Sequence, residues 1–275
     1  MEIKHKFAGN FAQGKSHSAN NTPCQDVIKL WTSSNSKYTG IALADGAGFS
    51  DKSHIGAKYI VENILPFISS NFVELYDEVN ISSERINRFI FNSLSKLSDS
   101  EGIDLRNLAS TLLFVCIDLT NFKYIAAHIG DGVIFKESEN ELHVLSHPFK
   151  GEFANSTIFT TSKYSVDKVR VQSGEITSNT GFLICSDGAA EALYDRAQKE
   201  PNYKLSKQIL NWLDNYSEDE VNKAIMSNLE NGVFKEVTND DCSLCILKLS
   251  IVETEPVSLF IQILNTFKRI IGFNA

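Results

Sequence analysis

The sequence predicts an α+β protein in which two stacked antiparallel β-sheets carry helices on their outer faces, an α/β/β/α sandwich. Three observations lead there. The elements run strands, helices, strands, helices, strand, an order that suits segregated layers better than repeated β-α-β units. Short apolar runs are separated by Thr-Asn, Gly-Asp-Gly and Glu-Asn turn signals, the pattern of a meander. The 275 residues are 43% apolar, enough to bury a large core in one domain.

Residues 3–12 and 27–33 read as strands, and 38–44 is a short apolar run that stops at Asp45-Gly46. Residues 53–72 place Ile55, Tyr59, Ile60, Ile64 and Leu65 at helical spacing, with Pro66 marking a kink. A second amphipathic helix over 82–98 has Ile86, Phe89, Ile90 and Leu94 on one face. Strands follow at 110–118, 122–129, 132–137 and 141–145. The polar stretch 146–164, with Pro148 and Gly151, has no clear period and reads as a loop or flap over a site. Strands resume at 168–173 and 181–186, helices at 188–195, 204–213 and 217–230, and a last strand at 242–249. Residues 1–250 therefore form the expected domain, and 251–275 a tail. Within the tail, 257–272 carries Phe260, Ile263, Leu264, Phe267 and Ile271 on one side of an amphipathic helix. That helix either packs on the parent domain or, with Lys268-Arg269, meets a membrane surface or partner.

Composition narrows the function. A formal net charge of −8 and no basic run argue against nucleic acid as the main partner. The N-terminus lacks the apolar stretch of a signal peptide, and no segment reaches the ~18 unbroken apolar residues of a membrane span. Five cysteines (24, 116, 185, 242, 245) make an odd count without disulfide spacing, and several lie inside apolar runs. A cytosolic monomer with reduced thiols is expected.

Chemistry gathers on aspartates. Apolar runs end at Asp45, Asp131 and Asp187, each followed by glycine, while Asp240-Asp241 opens the last strand and Asp26 opens an early one. A lone Asp-Gly is commonly a turn. Repetition at the ends of several strands is not required by turns. It supplies what a hard divalent cation needs, carboxylates collected on one rim of a sheet. The glycines let the backbone turn sharply or approach closely.

Three rival motifs fail on context. Gly9 to Ser16 satisfies the phosphate-loop pattern, with 41–45 as a magnesium-binding strand, so a nucleotide hydrolase is a rival. That loop needs a helix beginning at Lys15-Ser16, whereas 17–23 reads as turn. Cys242 and Cys245, three apart in a strand, point to opposite faces and cannot share one zinc. The six histidines show no metal-ligand spacing.

The ordered motifs resemble the metal-dependent serine/threonine phosphatases of the protein phosphatase 2C type, over about residues 9–249. Pro23-Cys24-Gln25-Asp26 resembles the first acidic motif, Ala44-Asp45-Gly46-Ala47-Gly48 the Asp-Gly-x-Gly motif, and Ala109-Ser110-Thr111 the Gly-Ser-Thr strand start. Ile129-Gly130-Asp131-Gly132, Ser186-Asp187-Gly188 and Asn239-Asp240-Asp241-Cys242-Ser243 resemble the later motifs. Gly14-x-Ser16-His17 and residues 151–155 resemble a bacterial subgroup.

The resemblance implies a helix-flanked β-sandwich with two Mn²⁺ or Mg²⁺ ions at one edge and a third, weaker ion at Asp131. Asp45 would bridge both ions, with the Gly46 carbonyl on one. Asp187 and Asp240 would hold the other, and Asp26 would act directly or through water. It implies hydrolysis of phosphoserine and phosphothreonine on protein substrates by a water between the ions, with Asp45, Asp187 and Asp240 catalytic. It further implies a kinase acting on the same targets. Two departures stand out: Gln25 replaces the usual glutamate, and no arginine precedes Asp26, which leaves His17 or Lys15 as phosphate contacts. A pseudophosphatase that serves as a binding module is the rival from another class.

Overall fold

Ile41 and Leu43 of the strand Tyr38–Asp45 lie in one hydrophobic cluster and Ala42 and Ala44 in another, so this strand is buried on both faces. Such burial makes a strand read as a continuous apolar run rather than an alternating one. The same split recurs at Leu112, Phe114 and Cys116 against Leu113, Val115 and Ile117. The computed structural model describes residues 2–149, 157–162, 168–177 and 179–252.

In chain order the strands are β1 (Glu2–Ala12), β2 (Asp26–Thr32), β3 (Tyr38–Asp45), β4 (Leu112–Asp118), β5 (Lys123–Ile129) and β6 (Val133–Ser138). There follow β7 (Glu141–Ser146), β8 (Arg170–Glu175), β9 (Gly181–Cys185), β10 (Tyr194–Asp195), β11 (Glu200–Pro201) and β12 (Cys242–Val252). Two five-stranded sheets have the orders β1-β12-β9-β6-β7 and β2-β3-β4-β5-β8, and all their pairings are antiparallel. The helices are α1 (Lys15–Ala19), α2 (Ser53–Ser70), α3 (Phe72–Asp77), α4 (Val79–Glu101), α5 (Asp187–Leu193), α6 (Tyr203–Asn215), α7 (Glu218–Asn231) and α8 (Val233–Val237).

Three clusters define the layers. Between the sheets lie Ile41, Leu43, Leu113, Val115, Phe182, Ile184 and Leu247 among others. Outside the second sheet, Ile60, Ile64, Leu65 and Ile68 of α2 and Ile86, Ile90 and Leu94 of α4 pack on Phe114 and Ile125. Outside the first, Ile209, Leu210 and Leu213 of α6 and Val221, Ile225 and Leu229 of α7 pack on Phe135, Leu183 and Ile246. Each such side chain, fully buried, contributes about 1.5–3 kcal/mol. The expected α/β/β/α sandwich is the architecture found.

The departures from the sequence reading have local causes. The helix expected over 53–72 stops at Ser70, and a separate α3 begins at Phe72. Pro66 lies inside α2, and the hydroxyls of both Ser69 and Ser70 donate to its carbonyl, which draws the last turn away from regular bonding. The next helix is longer than 82–98 and ends where Gly102 takes a left-handed φ of 65°. The helix expected to reach 195 gives way to the β10–β11 ribbon, because the Asp195 side chain accepts from the amides of Ala197 and Gln198 and forms a turn. Strand β4 begins at Leu112, two residues late, since Ser110 forms an isolated bridge with Gly46. The strand expected over 168–173 runs from Arg170 to Glu175.

Strand β12 continues to Val252 and crosses the boundary expected at 250. The tail helix over 257–272 and the 151–155 part of the flap lie outside the described residues. Among the described residues no helix is long and apolar enough to cross a membrane. All five cysteines are free thiols; Cys242 faces the helices and Cys245 the inter-sheet core, as their spacing predicts.

Phe182, wholly buried, meets Tyr124 edge-on at 5.0 Å between the sheets. Phe182→Ala is expected to lower stability by about 3–5 kcal/mol in urea unfolding, with an unchanged dependence on denaturant.

Candidate active site

Antiparallel pairing of β2 with β3 sets Asp26 directly opposite Asp45, at the end of the second sheet. The first sheet supplies the facing groups: Asp187 follows β9 as the first residue of α5, and Asp240-Asp241 precedes β12. The two sheets touch chemically where Ser243 Oγ donates to Asp26 Oδ2 at 2.6 Å. The Ser243 amide in turn donates to Ser186 Oγ at 3.0 Å. Asp45 is fixed through its backbone: its amide donates to Thr111 Oγ1 at 2.9 Å and its carbonyl accepts from the Thr111 amide at 2.8 Å.

The carboxylates sense one another. Burial pushes Asp26 up to about 7; the Ser243 hydrogen bond opposes this and the Asp241 charge adds to it. Asp45 is held well above the usual carboxylate range by burial, then by the charges of Asp26 and Asp187, with Asp240 adding to them. Asp187 rises to about 6 through burial and the charges of Asp131 and Asp240. Asp131, between β5 and β6, accepts from Thr157 Oγ1 at 2.7 Å. Asp26, Asp45, Asp131, Asp187 and Asp240 thus lie along one acidic rim.

Of the two roles expected for the glycines after the aspartates, close approach is the one seen at Gly188. Gly188 has an ordinary φ, but a Cβ there would stand 2.2 Å from the Asp241 carbonyl, so its smallness lets the two strand ends close on each other. The left-handed residue is Gly130, before Asp131 rather than after it, with a φ of 111°.

Asp26 Oδ1 is buried and accepts no hydrogen bond among the described residues. A buried carboxylate oxygen without a donor, beside carboxylates that repel one another, fits a cation, and an all-oxygen donor set fits a hard one. Among the described residues no three His, Cys, Asp or Glu side chains are arranged to share an ion. Magnesium is commonly held by one or two carboxylates with waters completing its shell, so the donor set still suits it. One surface cavity, of about 570 Å³, is lined by Tyr203, Lys207 and Trp212, near the opposite end of β9. The aspartates stand at the acidic rim, away from that cavity.

The family model described as Protein phosphatase 2C matches residues 13–230. The chain belongs to the protein phosphatase 2C family. Serine/threonine-protein phosphatase 3 of Escherichia coli (strain K12) is 21% identical over 246 residues, 85% of this chain and 94% of that one. The catalytic domain of the serine/threonine phosphatase PstP, solved in complex with two manganese ions, shares the fold with a TM-score of 0.62 at 13% identity, over 90% of this chain and 100% of that one. The S. agalactiae serine/threonine phosphatase does so with a TM-score of 0.61 at 17% identity, over 89% and 99%.

Within this protein phosphatase 2C chain, Asp241 carries a role that sequence reasoning missed. It is buried, Oδ1 accepts from the Gly14 amide at 2.7 Å, Oδ2 accepts from the Gln25 amide at 2.6 Å, and His17 Nδ1 lies 2.8 Å from Oδ2. Its neighbour Asp240 is exposed. Adjacent residues entering a strand face opposite ways, so the Asp-Asp pair itself signalled one carboxylate inside and one outside. Gln25 is buried too, and its Nε2 donates to the Ser50 carbonyl at 2.7 Å, a bond the family's more usual glutamate cannot make when ionised.

The segment expected to be turn after Ser16 forms the single helical turn α1 instead. Its groups are bonded within the protein: the Ser16 amide donates to the Asn239 carbonyl and Lys15 Nζ to the Lys235 carbonyl. The preceding β1 is an antiparallel edge strand, so the phosphate-loop arrangement of central strand, loop and long helix is absent here.

Two outcomes follow for the isolated protein. A carboxyl whose pKa is raised by folding stabilises the fold fully below its unfolded value near ~4, and that contribution is lost as pH rises through the folded value. With chelator present, the melting temperature should therefore fall between pH 5 and 8, through the values of about 6 for Asp187 and 7 for Asp26. Asp26→Asn should flatten that fall in calorimetry. Asp241→Asn, which removes the acceptor of one backbone amide, should lower stability by about 1–3 kcal/mol in denaturant titration.

Proposed function

We propose that this chain is a metal-dependent protein serine/threonine phosphatase that hydrolyses phosphoserine and phosphothreonine monoesters with two Mn²⁺ or Mg²⁺ ions at the acidic rim. The observation that carries the reading is the gathering of Asp26, Asp45, Asp131, Asp187 and Asp240 at one end of the two sheets, where burial first and then their mutual charge raise Asp45 and Asp187. In this reading Asp45 would serve both ions and the Gly46 carbonyl one of them, Asp187 and Asp240 would hold the other, Asp26 would act directly or through a water, and Asp131 would offer a weaker third position. When bound, such ions acidify a water and neutralise charge building on the phosphoryl oxygens.

The chain's own groups do the positioning. Ser243 and Ser186 orient Asp26, Thr111 fixes the backbone of Asp45, and the Gly188 amide donates to Asp187 Oδ1 at 2.7 Å. His17 Nδ1 lies 2.8 Å from Asp241 Oδ2, so that in this reading its Nε2 would meet the substrate phosphate, and Lys15 stands two residues away on the same turn. Phosphorylated proteins are the substrates in this reading, with a kinase acting on the same sites as counterpart.

A binding module without turnover is the second reading, and the lack of a ready three-ligand group among the described residues favours it. Hydrolysis of p-nitrophenyl phosphate and of a phosphothreonine peptide separates the two. Turnover should need Mn²⁺ or Mg²⁺, vanish with chelator, and drop in Asp45→Ala and Asp187→Ala by more than the ~10–100-fold that loss of an outer-shell partner costs. Turnover by the wild type no higher than by these variants would leave the binding module.

A further inference from the structure

Beside the acidic rim stands an aromatic pair with a cation that no carboxylate among the described residues neutralises. Phe49 is 57% exposed, and its ring meets Phe159 edge-to-face at 5.8 Å and 78°. The Arg106 guanidinium lies 5.6 Å from the Phe49 ring centroid, and among the described residues no carboxylate pairs with that side chain. Exposed aromatics are common singly, but two rings and an arginine together match the residue types that dominate recognition surfaces.

Both rings stand on segments bonded to the rim itself. Phe49 lies in the loop that follows Asp45-Gly46, where the Ala47 amide donates to the Ala109 carbonyl and Ser50 Oγ to the Asn107 carbonyl. Gln25 Nε2, one residue from Asp26, holds the Ser50 carbonyl. Phe159 lies two residues beyond Thr157, the partner of Asp131. Its segment is fixed by the Thr160 amide on the Ser110 carbonyl and by the buried Lys168, whose Nζ donates to the carbonyls of Thr160 and Ser162. The platform is thus ordered before anything binds, which spares the entropy of ordering it. Next to it a Cβ built on Gly48 meets no atom within 4 Å, so the approach is open.

Reach decides what this platform contacts. Phe49 is four positions beyond Asp45, so their Cα atoms are at most about 14 Å apart. An extended peptide covers that in about four residues. A peptide whose phosphate sits at the acidic rim brings its flanking side chains onto Phe49.

We propose that Phe49, backed by Phe159 and flanked by Arg106, selects the protein substrate: it takes an aromatic or large apolar side chain within about four residues of the phosphorylated serine or threonine, with an acidic neighbour paired to Arg106. This rests on the phosphatase reading above and names the substrate class for that site. Free p-nitrophenyl phosphate has no flanking residues and bypasses the platform.

The test is a set of phosphothreonine peptides in which one phenylalanine is moved through the four positions on either side, with glutamate or lysine beside it. In the wild type, kcat/KM should rise about three- to tenfold for phenylalanine over alanine at one or more positions. Phe49→Ala should level that ratio, and Arg106→Glu should exchange the preference for glutamate for one for lysine. No preferred position in the wild type, or a preference that survives Phe49→Ala, overturns the proposal. Should the wild type hydrolyse none of the peptides, the phosphatase reading falls by itself. Fluorescence anisotropy of the same labelled peptides then decides on the platform: a phenylalanine preference lost in Phe49→Ala sustains it, and equal binding overturns it.

Discussion

The Asp241 carboxylate accepts hydrogen bonds from the amides of Gly14 and Gln25, and through them it joins the connection after β1, the start of β2 and the start of β12. Those strands belong to both sheets, so one buried charge ties the sandwich together at the rim where the other aspartates stand. Burying a carboxylate costs several kcal/mol, and charge-assisted bonds of 2.6–2.7 Å are of the strength needed to offset it. With Gln25 fixed, the position of Asp26 follows, and pairing then places Asp45.

The acidic rim therefore holds two kinds of carboxylate. Asp241 is satisfied by amides and serves the fold. Asp26 is half satisfied, with Ser243 on one oxygen and no partner on the other among the described residues. Asp45 and Asp187 are pushed out of the ordinary carboxylate range by burial and then by the charges of their neighbours. Strain of this sort persists only where the surroundings over-determine it. Here the three apolar layers and the long β1–β12 ladder supply that frame.

Much of this was legible in the chain because burial on both faces leaves a strong mark. Runs such as 41–44, 112–117 and 182–185 are continuous apolar strands, and each central one leads to a motif of the rim. What could not be read depends on contacts made at a distance. The α1 turn forms because Ser16 and Lys15 find acceptors more than two hundred residues away, at Asn239 and Lys235. The break between α2 and α3 arises from serine hydroxyls that periodicity does not weigh. Asp240 and Asp241 are chemically identical in a sequence; only the fold makes one a surface ligand candidate and the other a buried tie. Phe49 and Arg106 lie far apart in the chain, and only folding brings them together.

The pairing of β1 with β12 has a temporal side. As a ribosome delivers the chain from its first residue, β1 emerges early but has no neighbour in its sheet until β12 appears, since β12 lies between β1 and β9. Contacts of such sequence separation form late and slowly. The second sheet, β2-β3-β4-β5-β8, draws only on earlier residues and can assemble first. Asp240 and Asp241 arrive with β12, so the rim is completed only once that strand has been made. Until then the nascent chain carries Asp26 and Asp45 without the groups that face them.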